Sequence, residues 1–357
     1  MSKAEYKRLG DYIRTVDIRN RDEQVTNLLG VSVSKEFMPS IANTIGTDMS
    51  VYKIVERGQF VYIADTSRRG DKIAIALLEN YDNAIVSQAY TVFEVIDHEQ
   101  LLPEYLMMWF RRPEFDRYAR FHSHGSAREI FDWEELCDVM LPVPSITRQR
   151  EIVSEYETLT NRTRLNNQMI QHLEDTAQAL YRKMFVEGID KENLPEGWRM
   201  GTVEELAEIK NGKSHTPTFG EIPIYGGNGI VGYTNEYNAQ NVVIIGRVGI
   251  NCGSLYLNQN NCYVNDNAMM AIPRDGNVIF LYMTLMRMGL NNQSEGSGQP
   301  LLTQAIIYKQ ECVIPKQELR TEFENKEQII ISHKFLLEKE NIKLTELQSL
   351  LLAKMGQ

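Results

Sequence analysis

A stretch of about sixty residues is present twice in this chain. Shifted by about 171 positions, residues 125–184 fall on 296–355 without a gap. Gly125 and Ser126 meet Gly296 and Ser297, Pro144 meets Pro315, and Glu151 meets Glu322. Leu165, Leu173, Leu180, Lys183 and Met184 meet Leu336, Leu344, Leu351, Lys354 and Met355. Apolar character persists where identity does not, as where Ile152 meets Phe323 and Leu159 meets Ile330. A period this long is a duplicated domain rather than a solenoid repeat. It predicts two similar bodies related by an approximate twofold axis.

The duplicated part is mostly helical in pattern. Tyr156, Leu159, Thr163, Asn166, Ile170, Leu173, Ala177, Leu180 and Met184 fall at alternating steps of three and four, the seam of a coiled coil. This predicts one long helix over 146–187. A second is predicted over 317–355, where Ile330, Leu337, Leu344 and Leu351 recur every seven residues. The two helices are built for the same partner surface, most simply each other. Asn166 and Asn341 occupy seam positions, where polar residues fix register at some cost in stability.

Before each helix lies a mixed segment. In 1–145, residues 61–67, 72–78 and 90–96 read as strands and 102–110 as a short buried helix. In 194–315, residues 221–227, 242–249 and 255–264 read as strands between Gly and Asn turns, with an apolar helix at 277–288. Gly188 and Pro195 mark a linker. The expected division is a first globular unit at 1–145, a spacer helix and linker at 146–193, a second unit at 194–315 and a second spacer helix at 316–357. The class is α+β: two globular mixed α/β domains, each followed by a long helix, with the helices packed as an antiparallel coiled coil.

Bulk properties exclude several classes. The hydrophobic fraction of 43% supports a real core. No apolar run reaches the roughly 18 residues of a membrane span, and the first residues carry no secretory signal. Cys137, Cys252, Cys262 and Cys312 form neither a disulfide framework nor a zinc pattern, so a cytoplasmic setting is the simplest reading. The net charge of −10 argues against a free-standing nucleic-acid binder. Both mixed segments are acidic, so any DNA-facing surface must be local or completed by a basic partner.

Catalytic constellations are missing. Gly212-Lys213-Ser214 lacks the first glycine of a phosphate loop, since Ala207 stands there. Gly226-Gly227-Asn228-Gly229 has no helical pattern after it and reads as a turn. His122 and His124 have no evident third metal ligand and read as a polar loop. No GxSxG, HExxH, adenine-clamping Asn-Pro-Pro-aromatic or helicase motif is present. The chain reads as a binder rather than an enzyme.

The second segment opens with LPEGWRMGTVEELAEIKNGKS at 194–214, followed by IPIYGGNGIVGYTN, VVIIGRVGINCGSLYL and VNDNAMMAI. The junction into the first long helix reads LPVPSITRQREIV at 141–153, and the corresponding VIPKQELRTEF carries Arg320 where the first has Gln149. The order of domain, helix, domain, helix and these runs resemble the specificity subunit of type I restriction–modification systems. The first junction is similar to that family's Ile-Pro-x-Pro … Glu-Gln … Ile signature, with Gln149 at the Gln and Arg148 at the Glu. The first segment is similar mainly by position and by its YKRLGDYI opening.

The resemblance implies that each globular unit is a target-recognition domain reading one half of a bipartite double-stranded DNA target. It implies that the helices hold the units apart and bind two modification subunits, which carry S-adenosylmethionine and methylate adenine at N6. Two restriction subunits, where a system carries them, add ATP- and Mg-dependent translocation and cleavage. The resemblance also implies that the specificity chain itself binds no cofactor or metal and catalyses nothing. A helical ruler suits half-sites about one turn, roughly 34 Å, apart, and changing its length is expected to change the gap.

Base readout requires polar side chains on exposed loops. The candidates in the first unit are Ser67, Arg68 and Arg69, then Arg111, Arg112, Arg117 and Arg120, then His124, Ser126 and Arg128. In the second they are Lys213, Ser214, His215 and Thr216, then Asn228, Arg247 and Asn251, then Asn292, Ser297 and Gln299. The competing readings are a coiled-coil scaffold holding two partners without DNA, a carbohydrate or peptide module, and an enzyme with an unrecognised site.

Overall fold

The computed structural model of the chain describes residues 5–40, 46–66, 72–125, 129–293 and 301–356. The chain begins with strands β1 (Tyr6–Arg8), β2 (Ile13–Val16), β3 (Leu29–Val31), β4 (Phe37–Pro39) and β5 (Lys53–Glu56). Strands β6 (Phe60–Ile63), β7 (Ala74–Leu77), β8 (Asn83–Val86) and β9 (Thr91–Val95) follow. Then come α1 (Pro103–Phe110), α2 (Pro113–Phe121), α3 (Trp133–Cys137), β10 (Met140–Pro142) and α4 (Ile146–Phe185). After the linker come β11 (Arg199–Thr202), α5 (Val203–Leu206), β12 (Ala207–Asn211), β13 (Ile222–Gly226), β14 (Gly229–Thr234) and β15 (Val242–Gly246). The chain closes with β16 (Leu255–Asn258), β17 (Tyr263–Val264), β18 (Ala268–Pro273), α6 (Val278–Arg287), α7 (Gln304–Tyr308), β19 (Glu311–Ile314) and α8 (Gln317–Lys354). Contacts divide it into one unit of Met1–Leu165 with Glu340–Gln357 and another of Asn166–Lys339.

In the first unit, the sheet β2-β9-β6-β7 is antiparallel throughout. Its strands β6 and β7 read as unbroken apolar runs because both of their faces are buried. Phe60, Tyr62, Ile75, Leu77 and Phe93 face a core completed by α1, by Phe115 and Ala119 of α2, by Val153 and Leu352 of the long helices and by Met355 just after α8. Val61, Ile63, Ala74, Ala76 and Val92 face a thin layer built from β3, β5 and β8. The alternation of side chains along a strand divides one apolar run between two cores.

The second unit repeats the plan. Its sheet β12-β18-β15-β16 has the same order: first strand, last, second, third. Val243, Ile245, Met269 and Ala271 face α6 and the long helices, while Val242, Ile244, Ala268 and Met270 face the layer carrying β13, β14 and β17. Residues 255–264 form two strands, not one. Asn258 Nδ2 bonds to the Asn260 carbonyl in the intervening turn, and β17 then joins β13 in a separate sheet. Burial pushes the Cys262 thiol up to about 12 and the Cys312 thiol up to about 11, so both act as small apolar groups.

The 171-residue offset holds in three dimensions. Helix α3 maps onto α7, β10 onto β19, and α4 onto α8. The caps correspond too. The Asp132 side chain accepts from Glu135 N at 2.9 Å, and Thr303, at the matching position, accepts from Ile306 N at 3.3 Å. Each cap contributes about 1 kcal/mol. Strand β10 is held by β1, and β19 by β11, in antiparallel pairs.

Each long helix gives one half to each unit. In the first, Arg162 pairs with Glu340 at 2.9 Å, and Gln348 donates to Thr160 Oγ1 at 2.8 Å. In the second, Lys334 pairs with Glu174. The partners run in opposite directions, so the pairing is antiparallel. The seam positions read from the sequence all lie buried or half-buried, Asn166 and Asn341 among them. The helices are more than spacers. Tyr181, Phe185 and Phe323 form an aromatic cluster with Phe280 of α6, with ring centroids 5.1 to 6.4 Å apart. Burying one such ring contributes roughly 1.5–3 kcal/mol. Among the described residues no helix is long and apolar enough to cross a membrane.

Candidate nucleic-acid interface

The loops that carry polar candidates in the second unit gather at one edge of its central sheet. Strand pairing requires this: Asn211 faces Met269, Gly246 faces Ala268, and Ile245 faces Leu255. The end of β12, the end of β15 and the beginnings of β16 and β18 therefore share that edge. Backbone bonds tie the loops together. Lys213 N donates to the Val264 carbonyl and Arg247 N to the Asn267 carbonyl, both at 3.0 Å. Asn265 N donates to the Tyr225 carbonyl at 2.9 Å, and Ser254 Oγ donates to the Gly227 carbonyl at 2.7 Å. Gly212 packs so closely on the Asn265 backbone that any Cβ there would collide with it. Gly253 has a φ of +84° and lies against Leu290 and Asn291, which draws the Arg247 loop towards Asn292.

The structure thus brings together Lys213, Ser214, Asn228, Arg247 and Asn251, with Asn292 next to them. Lys213, Ser214, Asn228 and Asn292 are exposed, and Arg247 and Asn251 half-buried. Neither Lys213 nor Arg247 has an ion-pair partner among the described residues, and the Arg247 Nε is buried without a hydrogen-bond partner. His215 is different. Its ring stacks on Tyr263 at 4.3 Å, and its Nε2 lies 2.9 Å from Thr234 Oγ1, so it anchors the loop. Thr216 beside it is exposed. The loop 265–267, not singled out from the sequence, is the hub of this edge. Its signal was the Asn-Asp-Asn turn in the VNDNAMMAI run.

The arginines of the first unit lie at and on a helix: Arg111 caps the end of α1, Arg112 is the N-cap of α2, and Arg117 and Arg120 lie on α2. Phe115 and Ala119 of α2 enter the core, which leaves Arg117 outside. Arg112 is only 7% exposed, with its guanidinium 4.2 Å from the Trp109 ring centre. It offers little surface to a ligand in this conformation. Arg111 lies over the Tyr156 ring of α4 at 5.8 Å. Arg117 pairs with Glu114 at 3.1 Å, and Arg120 pairs with Glu129. His122 Nδ1 and His124 Nε2 share Glu135, at 3.0 and 3.3 Å. Carboxylates therefore offset much of this positive charge, which sequence order did not reveal. Among the described residues no group of side chains could hold a metal ion.

Ser67, Arg68, Arg69, Ser126, Arg128, Ser297 and Gln299 lie outside the described residues. The segments beside them recur in both units. Phe131 N donates to the Ala64 carbonyl at 2.9 Å, and Leu302 N donates to the Arg247 carbonyl at 3.0 Å. Asp65 bridges Ile130, and Val248 bridges Leu301. Phe131 and Leu302, like Ile130 and Leu301, are related by the 171-residue offset. In each unit the loop after the second sheet strand is therefore fastened to the segment before the short capped helix. Thr66 Oγ1 adds a bond to Ser123 Oγ at 3.0 Å.

The junction residues also take matching roles. Gln149 is fully buried. Its Oε1 accepts from Leu102 N at 2.9 Å, while its Nε2 donates to the Gln100 and Pro144 carbonyls at 2.8 and 2.9 Å. Leu102 is the N-cap of α1. Arg320, at the matching position, pairs with Asp275, and Asp275 accepts from the N–H of Asn277, the N-cap of α6. Glu324 completes that helix start by accepting from Ile279 N and Phe280 N at 3.0 Å.

Comparison with known proteins agrees with this architecture. The family model described as type I restriction modification DNA specificity domain matches residues 6–175 and 195–349. The chain is 24% identical over 186 residues to the type I restriction enzyme HindI specificity subunit of Haemophilus influenzae. That match covers 50% of this chain and 40% of the relative, so the chain spans less than half the length of the relative it matches. The crystal structure of a type I restriction–modification S subunit from M. genitalium superimposes with a TM-score of 0.69 at 14% identity, covering 100% of this chain and 97% of the other. A chain from a structural study of type I R-M complex assembly and conformational transition gives 0.50 at 19% identity, covering 100% and 98%. On the two matched segments, which take in most of its length, the chain belongs to the type I restriction–modification DNA specificity family.

Proposed function

We propose that this specificity subunit reads a bipartite DNA target, one half with each unit, and presents it to two adenine-N6 methyltransferase subunits docked on its long helices. The observation that carries this reading is the recurrence of one fastened loop apparatus on two bodies of unlike sequence. Equivalent apparatus with different side chains fits two versions of one recognition task. The second unit offers Lys213 and Arg247 for phosphate or guanine, with Asn228, Asn251 and Asn292 for adenine edges. Few basic side chains face this edge, so the partner subunits supply much of the phosphate contact.

On this reading the chain is non-catalytic and works in the cytoplasm. S-adenosylmethionine belongs to the modification subunits, and ATP and Mg to restriction subunits where they are present. The test is co-expression with a candidate modification subunit, followed by mapping of N6-methyladenine across the host DNA. A split motif with two unlike halves and a fixed gap is expected. Stable assembly without any methylated motif would instead favour the coiled-coil scaffold, which holds two partners and reads no DNA.

A further inference from the structure

Ile250 is 98% exposed at the tip of the loop between Arg247 and Asn251. A lone exposed aliphatic residue is ordinary on a protein surface, but the support beneath this one is not that of a loose loop. Gly253 N donates to the Gly246 carbonyl and Gly246 N to the Ser254 carbonyl, both at 2.8 Å, closing the base. Cys252 N donates to the Gly249 carbonyl at 3.0 Å, which fixes the tip as a 3-10 turn. The buried Cys252 side chain fills the interior, with its Sγ donating to the Arg247 carbonyl at 3.2 Å. Leu302 N holds the same carbonyl from outside the loop. The fold thus uses an internal thiol and four backbone bonds to hold an isoleucine in solvent.

We propose that Ile250 contacts the C5-methyl group of a thymine in the half-site read by the second unit. This deepens the DNA-reading function proposed above and rests on it. The neighbours argue for a base edge: Arg247 suits guanine, Asn251 suits adenine, and an apolar side chain suits the thymine methyl in the same groove. A β-branched side chain has few rotamers to lose on docking. Phe219 is equally exposed but lies at the opposite end of the β13–β14 hairpin from Asn228, where its carbonyl accepts from Asn235 Nδ2. Each half-site must contain a target adenine, so each contains at least one thymine on the opposite strand.

The test uses the complex with the modification subunit and a duplex carrying the methylated motif. Each thymine of the second half-site is replaced singly by deoxyuridine, which removes only the methyl group. At one position the substitution is expected to weaken binding roughly 3- to 5-fold, the value of one buried methyl. Ile250→Ala should weaken binding to the unmodified duplex by a similar factor and be indifferent to deoxyuridine there. Ile250→Val should retain most of the effect. Equal sensitivity of Ile250→Ala and wild type at every position, or a defect of Ile250→Ala only in assembly with the modification subunit, would overturn the proposal. A complex that methylates a split motif but ignores every deoxyuridine also overturns it and leaves the proposed function standing. A complex with no methylated motif removes both.

Discussion

Gln149→Leu is expected to destabilise the first unit by roughly 2–5 kcal/mol. Leucine fills the space but leaves the Leu102 N–H and the Gln100 and Pro144 carbonyls, all served by the Gln149 amide, without it. Buried backbone groups left unpaired lose their full desolvation energy. The loss should appear as a lowered urea midpoint followed through Trp109 and Trp133, while Trp198 in the second unit reports a smaller change. Gln149→Glu should also destabilise, because a carboxylate cannot donate to the two carbonyls. A change below about 0.5 kcal/mol for the leucine variant would mean that this amide does not hold the start of α1.

Glu327→Leu is expected to stabilise the protein above neutral pH. Glu327 lies on the inward face of α8, is fully buried, and neither of its carboxylate oxygens has a hydrogen-bond partner among the described residues. Burial, reinforced by the charge of Glu324, pushes its carboxyl up to about 7. The folded state therefore binds the proton more tightly than the unfolded chain, whose glutamate titrates near its ordinary value. Stability from this group is complete below that ordinary value and is lost as pH rises through about 7. The loss amounts to at most about 3 kcal/mol. Glu324 and Glu338 are also raised by burial and slope the same way. The difference between wild-type and variant curves at pH 5 and pH 8 isolates Glu327. Parallel curves would show that the carboxyl finds solvent or a partner on folding.

The long helices, the short buried helices and the repeat were legible because each depends on a local period. α1 and α6 stand within a residue or so of their expected ends, and the seam positions face inward as their spacing requires. The thin second β-layers were less legible. Strands such as Lys53–Glu56 and Leu29–Val31 are short and gain their burial only by packing on the central sheet. Residues 255–264 were read as one strand because β-propensity does not register a turn that sends the second half to another sheet.

Among the candidate site residues, the convergence of the Lys213, Asn228 and Arg247 loops follows from strand register, which sequence alone did not fix. The fate of the arginines at 111–120 depended on the turn between α1 and α2 and on which face of α2 turns inward. Phe115 and Ala119 decide that for Arg117, which stays outside, whereas Arg112, at the turn between α1 and α2, folds back onto Trp109. The acidic partners of Arg120 and of the two histidines come from residues after the loop, so a count of basic side chains overstated the positive surface. At the second junction Arg320 stands where the first has Gln149. In the fold it is a second solution to the same need, since both side chains secure the start of the helix they face.

The central claim is that the two units read separate halves of one DNA target. Its most direct measurement is the N6-methyladenine map of a complex in which residues 194–315 are replaced by the corresponding domain of another family member. The account predicts that one half of the methylated motif changes while the other half stays as in the parent complex. An unchanged motif, or one in which both halves change together, would contradict it.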